Sequence, residues 1–390
     1  NIDFQPADSG KQGKVARYPY VWLRDNCPAP HTASITETSW GRKLLFKDLD
    51  PNVAPSYVKN RQDGVHISWP GDVSGFYDSK WLLRHNLDDP EIRSTRDEIY
   101  LENCKQPWND QKFRSVFKTF KWVDMFEKDE TLLEALIFLN TWGVLLLEGV
   151  PCQPGETLKL GRELGYIKPT NYGETFNVKL EENPNNLAYT SQELGPHTDL
   201  PYYIDMPDIQ GLHCIQAAGE MKGGENQFVD VCNVAQRIKE DHPEHYKILT
   251  TVPLEYIDDM ISNGQRHKLA ARHPVFNLDS EGNFVFGAWN NQQRSWFYPG
   301  PPNKVQEIYD AMFTFRDYYS DPKNMFRIRL SAGQFVIFDN LRIMHSRSAF
   351  ETTGEVQRFL EGIYYTWDSV RSKIRCLQHK LKHKTHQAFA

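Results

Sequence analysis

Gln334-Phe335-Val336-Ile337-Phe338-Asp339-Asn340 is an unbroken apolar run closed by turn formers. A run this short, bounded by polar residues, reads as a buried strand ending in a turn. His345 follows, and Arg358 lies 13 residues further on, at the start of a second strand, Leu360-Glu361-Gly362-Ile363-Tyr364-Tyr365. Taken singly, His345 reads as a satisfied core histidine and Arg358 as a surface ion pair. Taken in this order, strand, turn, His, then a strand with an Arg, they fit a jelly-roll core that presents an imidazole and a guanidinium to one site.

Working outward, the flanking chain has the same texture. Gly211–Ile215, Gln227–Val231, Phe284–Phe286 and Val144–Leu147 read as further strands. Thr131 to Trp142, stopped by Gly143, and Thr157 to Leu164, closed by Gly165, read as helices. Two longer helices are expected near Val234 to Leu249 and from Val305 to Tyr319, the latter with Ile308, Met312, Phe315 and Tyr319 on one face. The expected class is mainly β with flanking helices: a double-stranded β-helix (jelly-roll) core.

The first 90 or so residues differ. Tyr20–Leu23, Lys43–Phe46 and Val65–Trp69 are strand candidates punctuated by Pro28, Pro30, Pro51, Pro55 and Pro70. The polar stretch His85 to Asp97 reads as a connection. Two domains are expected: a small N-terminal β-rich module, 1–92, and the jelly-roll domain, 93–390.

Net charge is −6 over 390 residues. This argues against nucleic-acid binding, which needs a basic face. The densest basic stretch, Arg375 to Lys384, reads as a solvated terminal helix. No apolar run approaches the ~20 residues needed to span a bilayer. Six cysteines without a CxxC pair fit a reducing compartment. The expected location is cytoplasmic, with a mitochondrial one left open because the chain starts at Asn1 without Met and reads as trimmed.

His197-Thr198-Asp199 is the sharpest chemical feature. On a strand, residues i and i+2 point the same way, so imidazole and carboxylate can reach one metal. Alone, the tripeptide reads as a surface His beside a capping Asp. With His345 it makes a 2-His-1-carboxylate face that leaves coordination positions open, as non-haem Fe(II) oxygenases require. Arg358 would then pair bidentately with the far carboxylate of a 2-oxo diacid. No HExxH, GxSxG, P-loop or Rossmann glycine motif competes.

Motifs along nearly the whole chain carry a resemblance. They include Trp22-Leu23-Arg24-Asp25-Asn26-Cys27, Ala188-Tyr189-Thr190, His197-Thr198-Asp199-Leu200-Pro201, Leu212-His213-Cys214, Gly223-Gly224, Asn290-Asn291 and Leu360-Glu361-Gly362. In this order they resemble the γ-butyrobetaine and trimethyllysine dioxygenases, the γ-butyrobetaine branch most. The resemblance implies Fe(II) on His197, Asp199 and His345, with O2 as oxidant, 2-oxoglutarate as co-substrate on Arg358 with help from Asn226, and ascorbate as reductant. It implies an aromatic cage for a trimethylammonium group at Tyr172, Phe176, Tyr189 and Tyr364, and carboxylate contacts at Asn186 and Asn290. Phe176 stands where the branch usually has Trp. A quaternary cation has no N–H to donate, so π-faces are its natural partners.

The expected reaction is hydroxylation of γ-butyrobetaine to L-carnitine. Hydroxylation of trimethyllysine, another betaine or a trimethylaminoalkyl phosphonate is the alternative. A non-catalytic betaine-binding protein is the alternative of another class. The expected partner is a small quaternary-ammonium substrate, with no nucleic acid and no membrane; the resemblance also suggests a homodimer. The family's N-terminal zinc cluster falls on Cys27, Ala29, Thr32 and Val73, so one ligand is left. His31 and His66 are near, at unusual spacing. The module is expected to fold without zinc, on strand pairing and Trp22, Trp40 and Trp69.

Overall fold

The computed structural model describes residues 2–4, 14–29, 33–35, 40–86, 88–90, 101, 105–179, 190–262 and 264–387. The chain forms two compact units, Asn1–Asn103 and Cys104–Ala390.

The first unit is built on an antiparallel three-stranded sheet, Tyr57–Arg61, Gly64–Trp69 and Val73–Asp78. The middle strand buries Val65, Ile67 and Trp69. Tyr20–Leu23 is not a strand: it lies in a helix, Tyr20–Asp25. Its β-branched and aromatic residues mislead because the aromatic side chain is used sideways. Trp22 stacks on Tyr18 at 5.5 Å and meets Trp81 at 5.5 Å, while Leu23 enters the core. Lys43–Phe46 is irregular and runs into a 3-10 turn, with Leu45 and Phe46 exposed. Cys27 is buried in this core beside Gly75, where a Cβ would come within 2.7 Å of its Sγ. His31 lies outside the described residues, as does the side chain of Trp40.

The second unit holds two large sheets, besides the two-stranded pairs Leu254–Ser262 with Gln265–His273 and Phe276–Leu278 with Phe284–Gly287. The larger orders its strands Thr175–Lys179, Phe350–Tyr365, Ile209–Gly223, Gln334–Asp339, Val144–Glu148 and Thr119–Lys121. Its pairs are antiparallel except the last. The smaller orders Leu194–His197, Ile343–Arg347, Asn226–Asp230 and Met325–Ile328, all antiparallel. Phe338 of the larger sheet meets Phe228 of the smaller at 5.4 Å and His345 at 4.8 Å. Val336 and Phe338 therefore line the floor of the space between the sheets, while Phe335 turns to the opposite face and meets Trp122 at 6.4 Å and His213 at 6.0 Å. Both faces are covered, which is why all four residues of Phe335–Phe338 are buried.

Helices occupy nearly as much of the chain as strands, so the class is mixed rather than mainly β. Asp129–Trp142 ends at Gly143, whose φ of 76° is the left-handed cap that only Gly adopts freely. Val234 to Leu249 is two helices, Val231–Asp241 and Pro243–Thr251, because Pro243 has no N–H for a continuing helix and opens a new one. With Pro302–Ser320 they bury a second core around Ile238, Leu249, Ile308 and Phe315. The basic tail lies in the helix Trp367–Gln387, which buries Val370, Ile374 and Leu377 and pairs Lys380 with Asp129. It is docked rather than simply solvated.

Glu361 faces away from the space between the sheets and holds the start of the helix Glu156–Leu164. Its Oε1 accepts the Gly155 N–H at 2.8 Å and its Oε2 the Thr157 hydroxyl at 2.6 Å. Opposite it in register lies His213, fully buried.

Candidate active site

His197 ends its strand and pairs directly with His345 across the antiparallel ladder. In register, the two imidazoles stand 4.2 Å apart. The His197 Nδ1–H is directed to the Gly195 carbonyl at 2.9 Å, which leaves Nε2 for a ligand. Two residues on, Asp199 Oδ1 lies 3.2 Å from His197 Nε2 and 3.8 Å from His345 Nε2. One atom of each group lies within 4.8 Å of the others. Two imidazole nitrogens and one carboxylate oxygen on one side of a point form a donor set that suits Fe(II) and leaves the other side open.

The electrostatics agree. Burial would push the Asp199 carboxyl up, but the His345 and His197 rings and the Tyr364 hydroxyl outweigh it and hold it below the usual range. Burial, then the adjacent His197 ring, lowers His345 to about 3. The site therefore offers an anionic carboxylate and a neutral imidazole, the forms that bind metal.

The chain path around Asp199 is fixed on three sides. Thr198 exchanges hydrogen bonds with Trp289, its N–H donating to the Trp289 carbonyl at 2.7 Å and its Oγ1 accepting the Trp289 N–H at 2.9 Å. Leu200 takes a φ of 59°, which turns the chain sharply after the carboxylate. Buried Asn340, in the turn after the Gln334–Asp339 strand, bonds both the N–H and the carbonyl of Asp199. In the sequence, only the place of Asn340 at the end of the Gln334–Asn340 run, in the turn before His345, points to a role.

Two cavities meet at the triad, sharing Phe176, Val178, Leu194, His197 and Asp199. One continues to Asn226, Gln210, Arg347 and Arg358. Burial lowers the Arg358 guanidinium from its ordinary value, yet an arginine stays charged at neutral pH. No carboxylate pairs with it among the described residues. A partly buried cation facing a cavity calls for an anion, which a 2-oxo diacid supplies. Buried Gln210, which the sequence reading missed, adds an Oε1 with no partner among the described residues.

The other cavity continues to Tyr172, Leu200, Asn290 and Tyr364. Phe176 sits opposite Gly362 in the ladder, and its ring covers the space a side chain there would fill, 2.1 Å from a Cβ. Phe176 stacks on Tyr364 at 5.2 Å and meets Tyr172 at 6.0 Å. Tyr364 donates its O–H to Asp199 Oδ2 at 2.7 Å. Burial and then the Asp199 charge push this hydroxyl well above its ordinary pKa, so the proton stays on the phenol. Asn186 and Tyr189 lie outside the described residues.

Residues 106–364 match the model of the taurine catabolism dioxygenase TauD, TfdA family. The chain is 31% identical to γ-butyrobetaine dioxygenase of Pongo abelii and to that of Homo sapiens, each over 94% of this chain and 92% of the relative. It is 29% identical to trimethyllysine dioxygenase of Meyerozyma guilliermondii, over 94% of this chain and 91% of the relative.

Proposed function

Since the chain belongs to the taurine catabolism dioxygenase TauD, TfdA family and is an Fe(II)- and 2-oxoglutarate-dependent dioxygenase, we propose that it hydroxylates γ-butyrobetaine to L-carnitine. The observation that carries this reading is the position of the His-Asp-His donors between two cavities, one lined by the partly buried Arg358 and one walled by Tyr172, Phe176 and Tyr364. The two sheets are read as the halves of a double-stranded β-helix, with the site in its mouth.

When bound, Fe(II) and 2-oxoglutarate supply the oxidising chemistry: 2-oxoglutarate and O2 become succinate and CO2, and one oxygen atom enters a C–H bond. The protein's part is holding. His197, Asp199 and His345 provide three donors on one face. Arg358, with Asn226 and Gln210 beside it, takes the far carboxylate of 2-oxoglutarate. Tyr172, Phe176 and Tyr364 offer π-faces to the trimethylammonium group, Tyr189 joining them by family resemblance. Asn290 and Asn186 take the substrate carboxylate. No side chain need act as a base for C–H cleavage; the residues fix which C–H bond stands near the metal.

The test is succinate formation in Fe(II), ascorbate and air with a panel of trimethylammonium compounds. γ-Butyrobetaine should stimulate it strongly and yield a product heavier by one oxygen. Stimulation by trimethyllysine or a phosphonate analogue alone would move the substrate. No stimulation by any of them, despite binding of iron and 2-oxoglutarate, would sink the cage reading.

A further inference from the structure

Asp199 uses its two oxygens differently. Oδ1 faces the two imidazole Nε2 atoms at 3.2 and 3.8 Å. Oδ2 accepts the Tyr364 hydroxyl at 2.7 Å. The backbone on both sides of this carboxylate is held by Asn340, so side-chain rotation is the freedom that remains. The Tyr364 hydroxyl removes it. A carboxylate held in this way gives a metal one oxygen, and the positions opposite stay available.

The ring of the same residue does a second job. It is buried, stacks on Phe176 and walls the cavity assigned above to the trimethylammonium group. We propose that Tyr364 is a positioning residue that holds Asp199 to a single metal-facing oxygen and transmits filling of the aromatic cavity to the metal. This deepens the substrate reading above and rests on it.

The physical link is short. A cation on the ring face draws electron density from the phenol and makes its O–H a stronger donor. A stronger hydrogen bond to Oδ2 withdraws charge from the whole carboxylate, so Oδ1 gives less to the metal. Substrate and metal then communicate through one side chain, with no backbone movement. Phenylalanine would keep the wall and lose the link.

Tyr364→Phe in the full chain separates the two jobs. Anaerobic Fe(II) titration should show affinity weakened about 10–100-fold, the usual effect of losing such a partner, with no substrate present. The visible absorption of the Fe(II)–2-oxoglutarate complex should no longer shift on adding γ-butyrobetaine. The kcat should fall more than KM for γ-butyrobetaine rises. Wild-type Fe(II) affinity together with a wild-type spectral shift would reduce Tyr364 to a cavity wall and overturn the proposal.

Phe176→Leu is the companion, since it alters the wall without touching the carboxylate. It should raise KM and leave Fe(II) affinity as in the wild type; equal loss of iron in both variants would overturn the proposal. Should Tyr364→Phe fail to fold, 3-fluorotyrosine placed at position 364 alters the hydrogen bond at nearly constant shape, and an unchanged Fe(II) affinity there would overturn it as well. If no trimethylammonium compound stimulates the wild type while Tyr364→Phe still loses iron, the substrate reading fails and the hold on Asp199 stands.

Discussion

Asn340 grips Asp199 by both faces of its backbone: Oδ1 accepts the Asp199 N–H at 2.7 Å and Nδ2 donates to the Asp199 carbonyl at 3.1 Å. The same Nδ2 donates to the Pro207 carbonyl at 2.9 Å. One amide in the turn before His345 thus sets the position of a carboxylate from a distant part of the chain. Asn340→Ala should weaken Fe(II) binding about 10–100-fold. It should also lower the melting temperature, at about 1–3 kcal/mol for each buried group left unpaired. Isothermal titration and thermal melts check both; unchanged iron affinity would show that the turn does not position Asp199.

Gly362→Ala puts a methyl where the Phe176 ring lies, with 2.1 Å between the new Cβ and Phe176 Cζ. The ring must leave, and with it one wall of the cage. KM for the trimethylammonium substrate should rise by roughly fivefold or more, since contact of a desolvated cation with a ring is worth about 1–2 kcal/mol. KM for 2-oxoglutarate should stay near the wild-type value. Steady-state kinetics in the two substrates distinguish this from general damage, which would move both.

Arg342 and Asp230 form a fully buried pair, Nε to Oδ1 at 3.1 Å and Nη2 to Oδ2 at 2.7 Å. Arg342 also donates to the carbonyls of Thr141 and Gln106. Arg342→Met would strand the Asp230 charge, and urea unfolding should show a loss of about 3–5 kcal/mol. A shift within 1 kcal/mol would mean that the pair is replaceable by simple packing.

His213 is fully buried, and neither ring nitrogen has a partner among the described residues. Burial lowers its pKa, against the opposing pull of Glu361 and Glu156. The unfolded imidazole takes a proton near its ordinary value of about 6.5, while the folded one resists until lower pH. Its contribution is therefore complete above that value and is lost as pH falls toward the lowered one. Comparing urea midpoints at pH 7.5 and 5.5, His213→Leu should flatten part of the wild-type decline. An identical slope in both proteins would rule His213 out as its source.

For the N-terminal unit, zinc analysis of protein purified without added metal should find well under one equivalent. Stoichiometric zinc would mean that Cys27 has partners beyond the family positions Ala29, Thr32 and Val73.

The sequence exposed the parts of this site that carry their own chemistry. His197 and Asp199 share a strand-like i, i+2 spacing, His345 follows an apolar strand and its turn, and Arg358 stands at the start of the next expected strand; the structure brings the first three together and sets Arg358 on the adjoining cavity. What stayed hidden depends on contacts between distant segments. The role of Asn340 exists only because the 199 turn folds under it, and Gln210 matters only because Arg358 shares its cavity. The Tyr20–Asp25 helix was hidden for a related reason: Val21 and Trp22 favour strands locally, and packing of Trp22 against Tyr18 and Trp81 overrides that preference. The hairpin Leu254–Ser262 with Gln265–His273 is hard to read in the sequence because Asp258 interrupts the alternation of the core-facing Leu254, Tyr256 and Met260.

The Phe350–Tyr365 strand carries Arg358, Glu361, Gly362 and Tyr364, and each is tied to something different: a cavity for an anion, a helix start, the Phe176 ring and the metal carboxylate. A substitution at any of these four positions disturbs one of these tasks. Divergence toward new substrates, in nature or by directed evolution, should therefore accumulate in the segments around Tyr172 and in 290–293, which touch only the aromatic cavity, while this strand stays nearly unchanged. Libraries aimed at altered selectivity would be best confined to those loops.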